Sequence, residues 1–339
     1  MFRGREVPAL KGAVPRDRPR THKDRRPLAD QPGERSVPLT RCGVCARLKV
    51  MNRNPHLNEL GEFLKARRAE LTPSDVGLRG GQRRRVKGLR REEVALLAAM
   101  STEYYARIEQ GRLQASAPLL DEIAQALRLN DDQRTYLFDL AAKERVRRSA
   151  YRERQQVDPQ LQRMLDDLSA SPAFVIGRCT DILGWNRLAA ALWTDFGKYP
   201  EPERVFVRLL FTEPWMRELY VDWEEVTRLA IAQLRMESAR YPDDQPLTAL
   251  VEELSARDAQ FRQWWTEHDV AMRGQGVKKL RHPVVGELTL DWNTLTCGTD
   301  PDQHIIVWNA EPGTPSHDGL RLLASWAADQ KPTASDAAT

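Results

Sequence analysis

Apolar side chains recur three and four residues apart along the first part of the chain. Leu60, Phe63 and Leu64, with Arg67, mark one helix. Leu89, Val94, Leu97 and Ala98 fall on one face of a second, and Ser101, Tyr105 and Ile108 on the inner face of a third. Leu120, Ile123, Ala124 and Leu127 predict a fourth, and Tyr136, Leu137 and Leu140 a fifth. The punctuation agrees. Ser116 with Pro118 suits a helix start, Asn130 to Gln133 has the form of a capping box, and Gly111 stands where a helix needs a C-terminal glycine.

The second part changes period. Asp158-Pro159 opens a helix whose stripe is Leu161, Met164, Leu165 and Leu168, a linker helix or a lid. AFVIGRCTDILGW (173–185) reads as two short strands around a turn at Cys179-Thr180-Asp181, and Asn186 caps a helix through Leu188, Leu192 and Trp193. A helix-rich stretch follows from about 200 to 272. From Lys278 the alternation is two: Leu288, Leu290 and Trp292 alternate with Glu287, Thr289 and Asp291. A turn at Gly298–Pro301 leads to His304–Trp308, and a last helix starting near Pro315 presents Leu320, Leu323 and Ala327. Two strands, helices, then three antiparallel strands is the order of a PAS-like fold. The predicted class is therefore mainly α, with an α+β C-terminal domain whose helices cover one face of a five-stranded sheet and leave room for a small ligand.

Chemistry sharpens the reading of the first part. Residues 88–112 have the spacing of a helix-turn-helix about Ala99-Met100-Ser101, and the outer face of the second helix carries Glu103, Arg107 and Gln110, with Thr102 and Ala106 at its edges. A short helix with polar groups outward is the means by which proteins present base-reading side chains to the DNA major groove. Arg107 is expected to read guanine and Glu103 cytosine, with Ser101 and Thr102 near backbone or bases. Upstream, Arg79, Arg83, Arg84, Arg85, Lys87, Arg90 and Arg91 form a run without an acid. Arg83, Arg84, Arg85, Arg90 and Arg91 are the candidates for phosphate contact. The net charge of +4 conceals an asymmetry: +8 over residues 1–50, +5 over 51–150 and −9 over 151–339. A basic reader joined to an acidic module fits double-stranded DNA as partner of the first part only. A homodimer on a pseudo-palindromic site is expected, because one such helix spans few base pairs.

Residues 57–141 resemble the lambda-repressor-like helix-turn-helix of the xenobiotic-response-element family of bacterial regulators. LGEFLKARR (60–68), GLRREEVALLA (88–98) and EYYARIEQGR (103–112) resemble the MmyB-like transcription regulators in particular. So do WWTEHDV (264–270), RHPVVGELTLDW (281–292) and IIVWNAEPGTPS (305–316). The similarity covers about 57 to 329. It implies a five-helix DNA-binding domain followed by a PAS-like ligand-binding domain whose pocket takes fatty-acid-like ligands, so that a bound fatty acid, and no other cofactor, is expected.

All nine tryptophans lie between Trp185 and Trp326. Trp185, Trp193, Trp215, Trp223 and Trp265 border the helix-rich segment that would close over the sheet and are the candidate pocket walls. His268 is the candidate for a ligand headgroup. Aromatic residues are more often core than pocket, and a satisfied structural histidine is the plainer alternative. The six histidines show no metal-ligand spacing, and no phosphate loop or dinucleotide fingerprint appears. Cys42-Gly-Val-Cys45 is half a zinc site without a second half, and Cys179 and Cys297 stand alone as small apolar groups. No metal and no enzymatic activity are expected. A C-terminal module that docks a protein partner, or less readily a catalyst, is the alternative. No apolar run is long enough to span a bilayer, and the expected setting is the cytoplasm, with the nucleoid.

The expected boundaries are a disordered basic extension over 1–55, the helix-turn-helix domain over 56–142, a linker helix over 143–158, the PAS-like domain over 159–329 and a disordered tail over 330–339. MmyB-like proteins usually begin just before the LGEFL-type helix, so Met51 is an expected true start; a genuine basic arm is the alternative.

Overall fold

The computed structural model of the protein describes residues 55–79, 84, 86–142 and 155–329. The expectations for 1–54, with Cys42, Cys45 and Met51, for 143–154, for Arg83 and Arg85, and for the tail lie outside the described residues. Helices α1 (Pro55–Glu70), α2 (Arg91–Leu97), α3 (Thr102–Glu109), α4 (Ala117–Ala126) and α5 (Asp131–Ala141) build the first half. Their ends follow the local chemistry. The Asn130 carboxamide accepts from the Gln133 amide at 2.9 Å and Gln133 accepts from the Asn130 amide at 3.1 Å, closing the capping box of α5. Ser101 accepts from the Tyr104 amide at 3.2 Å, so it caps α3 at the surface rather than joining the inner face. Gly111, at φ +65, ends α3 as expected. Leu60, Phe63, Leu64, Leu89, Val94, Tyr105, Ile108, Ile123, Tyr136 and Leu137 close one core. Each such large side chain contributes about 1.5–3 kcal/mol on burial.

The second half consists of α6 (Pro159–Asp167), β1 (Ala173–Ile176), β2 (Ile182–Trp185), α7 (Arg187–Leu192), α8 (Phe206–Thr212), α9 (Pro214–Leu219), α10 (Trp223–Arg240), α11 (Gln245–Arg257), α12 (Ala259–Thr266), β3 (Gln275–His282), β4 (Gly286–Thr296), β5 (His304–Asn309) and α13 (Pro315–Asp329). The strands form one antiparallel sheet in the order β2-β1-β5-β4-β3. Period two decides which side chains face the helices: Lys278, Leu280 and His282 from β3, and Leu288, Leu290 and Trp292 from β4. β1 is buried on both faces, with Phe174 and Ile176 toward the helices and Ala173 and Val175 under the α6 stripe of Leu161, Leu165 and Leu168. Thus α6 is a lid on the outer face of β1 and β5.

A linker helix over 143–158 does not extend through its described part, since residues 155–158 are not helical. The cause is local. Pro159 disfavours helix in the residue before it, and Asp158 instead accepts from the Gln160 amide as N-cap. Gln155 spends its side chain on the Arg178 amide at 3.0 Å and on Asp300 at 3.1 Å. The two halves also share side chains: Met236 and Ala239 of α10 belong to the core of the first half.

Candidate functional site

The frame of the helix-turn-helix is built around one carboxylate. Glu109, at the end of α3, has its side chain wholly buried. It accepts from Arg68 of α1 at 2.8 and 3.2 Å and from Arg91 of α2 at 3.3 Å. Arg68 also donates to the Leu89 carbonyl at 2.6 Å. Charge-assisted bonds of this kind are stronger than neutral ones, and here they tie three helices at one point. α1 reaches α3 because residue 61 is glycine: a Cβ there would lie 2.3 Å from the Glu109 carbonyl oxygen.

With that edge fixed, the opposite face of α3 is presented outward. Thr102, Glu103 and Arg107 are exposed, and among the described residues the side chains of Glu103 and Arg107 have no hydrogen bond or ion pair. Gln110 is half-buried as the C-terminal cap residue. The basic candidates divide. Arg90 is half-buried and pairs with Glu92 at 3.2 Å, while Arg91 keeps 43% of its side chain open despite its bond to Glu109. Arg84 is different. It grips Glu93 with both terminal nitrogens and the Gly88 carbonyl at 2.9 Å, and only 15% of its side chain is exposed. The Glu93 carboxyl is held down at about 2, its hydrogen bond to Arg84 outweighing desolvation. Arg84 is therefore tied to α2, its guanidinium already paired with Glu93. Arg112, absent from the candidates drawn from the sequence, is exposed just past Gly111 and borders a hollow of about 370 Å³ with Lys65, Arg91 and Gln110. The sequence signal for it is its position immediately after Gly111, which ends the helix.

The interior of the second half is aromatic. Trp193 lies edge-on to Phe174 at 5.3 Å and to Trp308 at 5.2 Å, and donates its indole N–H to the Tyr220 hydroxyl at 2.9 Å. Trp223 donates to the Leu210 carbonyl at 3.0 Å and packs against Phe211 and Trp264. Trp185 is held between Phe196 and Arg204, and Trp215 donates to Tyr199 and Glu213 at 3.2 and 3.1 Å. The five candidate tryptophans thus do not surround one space. Trp193 and Trp223 enter the buried core, and Trp185, Trp215 and Trp265 pack at its rim, where Trp265 also meets Arg235. Trp292 and Trp308, inward on β4 and β5 as the period-two alternation places them, stand outside the candidate pocket walls. Each is over nine-tenths buried, and their indole N–H groups have no hydrogen-bond partner. A second hollow, of about 590 Å³, opens beside Tyr220 and Trp223 and is rimmed by Arg217, Glu224, Glu225 and Arg228.

His268 does not lie over the sheet. With φ +56 it turns toward α1, and its Nδ1 is 3.1 Å from Glu59 and 3.2 Å from Arg235. The α12 end and the following residues face the first half, which is why WWTEHDV carries a junction rather than a pocket. Trp265 has Phe261 stacked on one side at 5.8 Å and the Arg235 guanidinium 4.1 Å from its centroid. Cys179 is buried beside Asp244, and burial pushes its thiol up. Among the described residues no group of three or more His, Cys, Asp or Glu side chains could hold a metal ion, and no helix is long and apolar enough to cross a membrane.

No curated protein matches the chain. Residues 59–137 match the family described as helix-turn-helix domain. Residues 157–323 match the family described as MmyB-like transcription regulator ligand binding domain. A helix-turn-helix followed by that domain makes the chain a member of the MmyB-like transcription regulators.

Proposed function

We propose that the protein binds a specific operator through α3, as a homodimer, and that a small apolar ligand with a hydrogen-bond-accepting head, of the fatty-acid class, sets that binding. The coarser part follows from the two domains: a DNA-binding helix-turn-helix joined to a ligand-binding domain is a ligand-sensing transcription regulator. The observation that carries the DNA half is the unpaired polar face of α3 behind the Glu109 clamp, since groups free of internal partners can bond to base edges without first breaking one. Arg107 and Glu103 are the base readers, Thr102 and Gln110 flank them, and Arg90, Arg91 and Arg112 hold phosphates. The ligand half is supported by the aromatic interior and by the two buried indole donors, because a buried donor without an acceptor costs about 1–3 kcal/mol that a carboxylate or carbonyl would recover.

The test uses the full chain on a selected operator and on random duplex. Arg107→Ala should weaken operator binding by about 1–3 kcal/mol and leave random DNA nearly unaffected. Equal losses on both would make Arg107 a phosphate contact and end the assignment. A saturated C16 fatty acid at about 100 times its dissociation constant should stabilise the chain by about 2.7 kcal/mol in thermal unfolding. No shift across acyl lengths removes the fatty-acid class.

A further inference from the structure

Arg235, on α10, is among the most deeply buried side chains of the molecule, with 1% of its surface exposed. A guanidinium in that position needs a counter-charge, and the second half does not supply it. The partner is Glu59 of α1, in the DNA-reading half. Glu59 also accepts from the Tyr136 hydroxyl of α5 at 2.9 Å and lies 3.1 Å from His268. Around this centre, Arg67 donates to the Glu267 carbonyl at 2.8 Å and to Asp269 at 3.2 Å, and the Met272 amide donates to Asp132 at 3.0 Å. Met236 and Ala239 press into the core below.

On its other side Arg235 is bound to the sensor. It donates to the Trp265 carbonyl and lies over the Trp265 ring. Trp265 stacks on Phe261, one helical turn earlier, which is fully buried and packs on Phe211 at 5.4 Å; Phe211 meets Trp223 and Trp264. An unbroken series of contacts therefore runs from the aromatic interior to α1. The recognition face of α3 is outside it: Thr102, Glu103 and Arg107 stay exposed in the docked arrangement.

We infer that the two halves exchange between a docked and an undocked state, that the Arg235–Glu59 pair holds the docked one, and that ligand occupancy reaches the DNA-reading half through Trp265. The inference rests on the ligand-sensing reading above and adds its regulation. Closely packed elements respond to a local shift by changing between discrete arrangements. A ligand admitted among Phe211, Phe261 and Trp264 displaces α12 and, with it, the Trp265 seat of Arg235. Docking then weakens, and the reading helices lose their fixed placement while each keeps its contact face. Coupling of this kind changes affinity by about five- to 150-fold.

The decisive experiment follows hydrogen exchange and operator affinity in the full chain. Glu59→Gln should raise exchange in 55–70 and 265–272 together, leave 102–109 protected, and lower operator affinity by at least about fivefold. Glu59→Leu with Arg235→Leu, which removes both charges and leaves an apolar contact, should restore protection toward wild type. A variant that simply unfolds would lose protection in α3 as well, and the double replacement would not rescue it. The saturated C16 fatty acid should reproduce the Glu59→Gln pattern in the wild-type chain. Unchanged exchange at 265–272 in Glu59→Gln overturns the switch, as does a fatty acid that raises thermal stability without touching either segment. A fatty acid that gives no thermal shift counts against the ligand class alone, and the switch is then decided by Glu59→Gln.

Discussion

Two glutamates, Glu59 of α1 and Glu109 of α3, each gather polar side chains from other elements, yet they hold different things together. Glu109 is closed off from solvent, and Arg68 and Arg91 come from the same small domain. Glu59 keeps 34% of its side chain exposed, and its main partner lies 176 residues away. The first cluster can be lost only with the domain around it. The second joins the two halves, so opening it draws Met236 and Ala239 of α10 out of the first core and leaves the remaining side chains of each core in contact. Similar chemistry therefore gives a frame in one place and a breakable contact in the other, and the difference comes from burial and from which elements supply the arginine.

The comparison breaks most visibly at Glu109. Glu109→Ala leaves Arg68, itself largely buried, without its carboxylate, and removing one member of a buried pair costs about 3–5 kcal/mol. Chemical denaturation should show that loss, and DNA binding should fail with the fold. A stability loss under about 1 kcal/mol would place Glu109 among ordinary surface pairs and remove the distinction.

Acid offers a graded way to separate the two regions. Desolvation pushes the Glu59 carboxyl up, but the hydrogen bond from His268, the Arg235 charge beside it and the Tyr136 hydroxyl prevail and hold it at about 2 against an ordinary 4.5. A carboxyl lowered on folding stabilises the native arrangement at pH above its unfolded value. That contribution is whole above about 4.5, declines as the pH falls below it and is gone below about 2. Glu93, held at about 2 by Arg84, follows the same course at the start of α2. Protection at 265–272, taken relative to the unfolded-chain exchange rate at each pH, should thus fall on acidification through this window in the wild-type chain, while Glu59→Gln, lacking the carboxyl, should show no such step. The same acid step in the variant would assign it to other groups.

Most of the fold could be read from local chemistry. The caps at Asn130, Asn186 and Asp158, the glycine at 111 and the alternation through Leu288, Leu290 and Trp292 all act within a few residues, so sequence spacing reports them directly. The outer face of α3 was legible for the same reason. What escaped was long-range. Nothing near Glu59 announces Arg235, and a histidine between Trp265 and Val270 reads equally as pocket or junction until α12 is placed in space. Arg84 looked like its basic neighbours because its partner Glu93 lies on a helix nine residues on, and pairing across a turn has no signature in a run of charge.

The smallest expected effect tests that last point. Each phosphate neutralised contributes about 0.9 to the slope of log affinity against log salt, so an arginine that contacts DNA in both subunits of a dimer accounts for nearly two. Arg112→Ala should flatten the slope by about that amount, because its side chain is exposed beside the recognition helix. Arg84→Ala should leave the slope almost unchanged, since its charge is already spent on Glu93 and the Gly88 carbonyl. What it should lose instead is order at the start of α2, seen as faster amide exchange over residues 88–94 without DNA. If Arg84→Ala flattened the slope as much as Arg112→Ala, the loop would be a phosphate clamp that exchanges Glu93 for DNA on binding, and the pairing seen in the free protein would be its resting state.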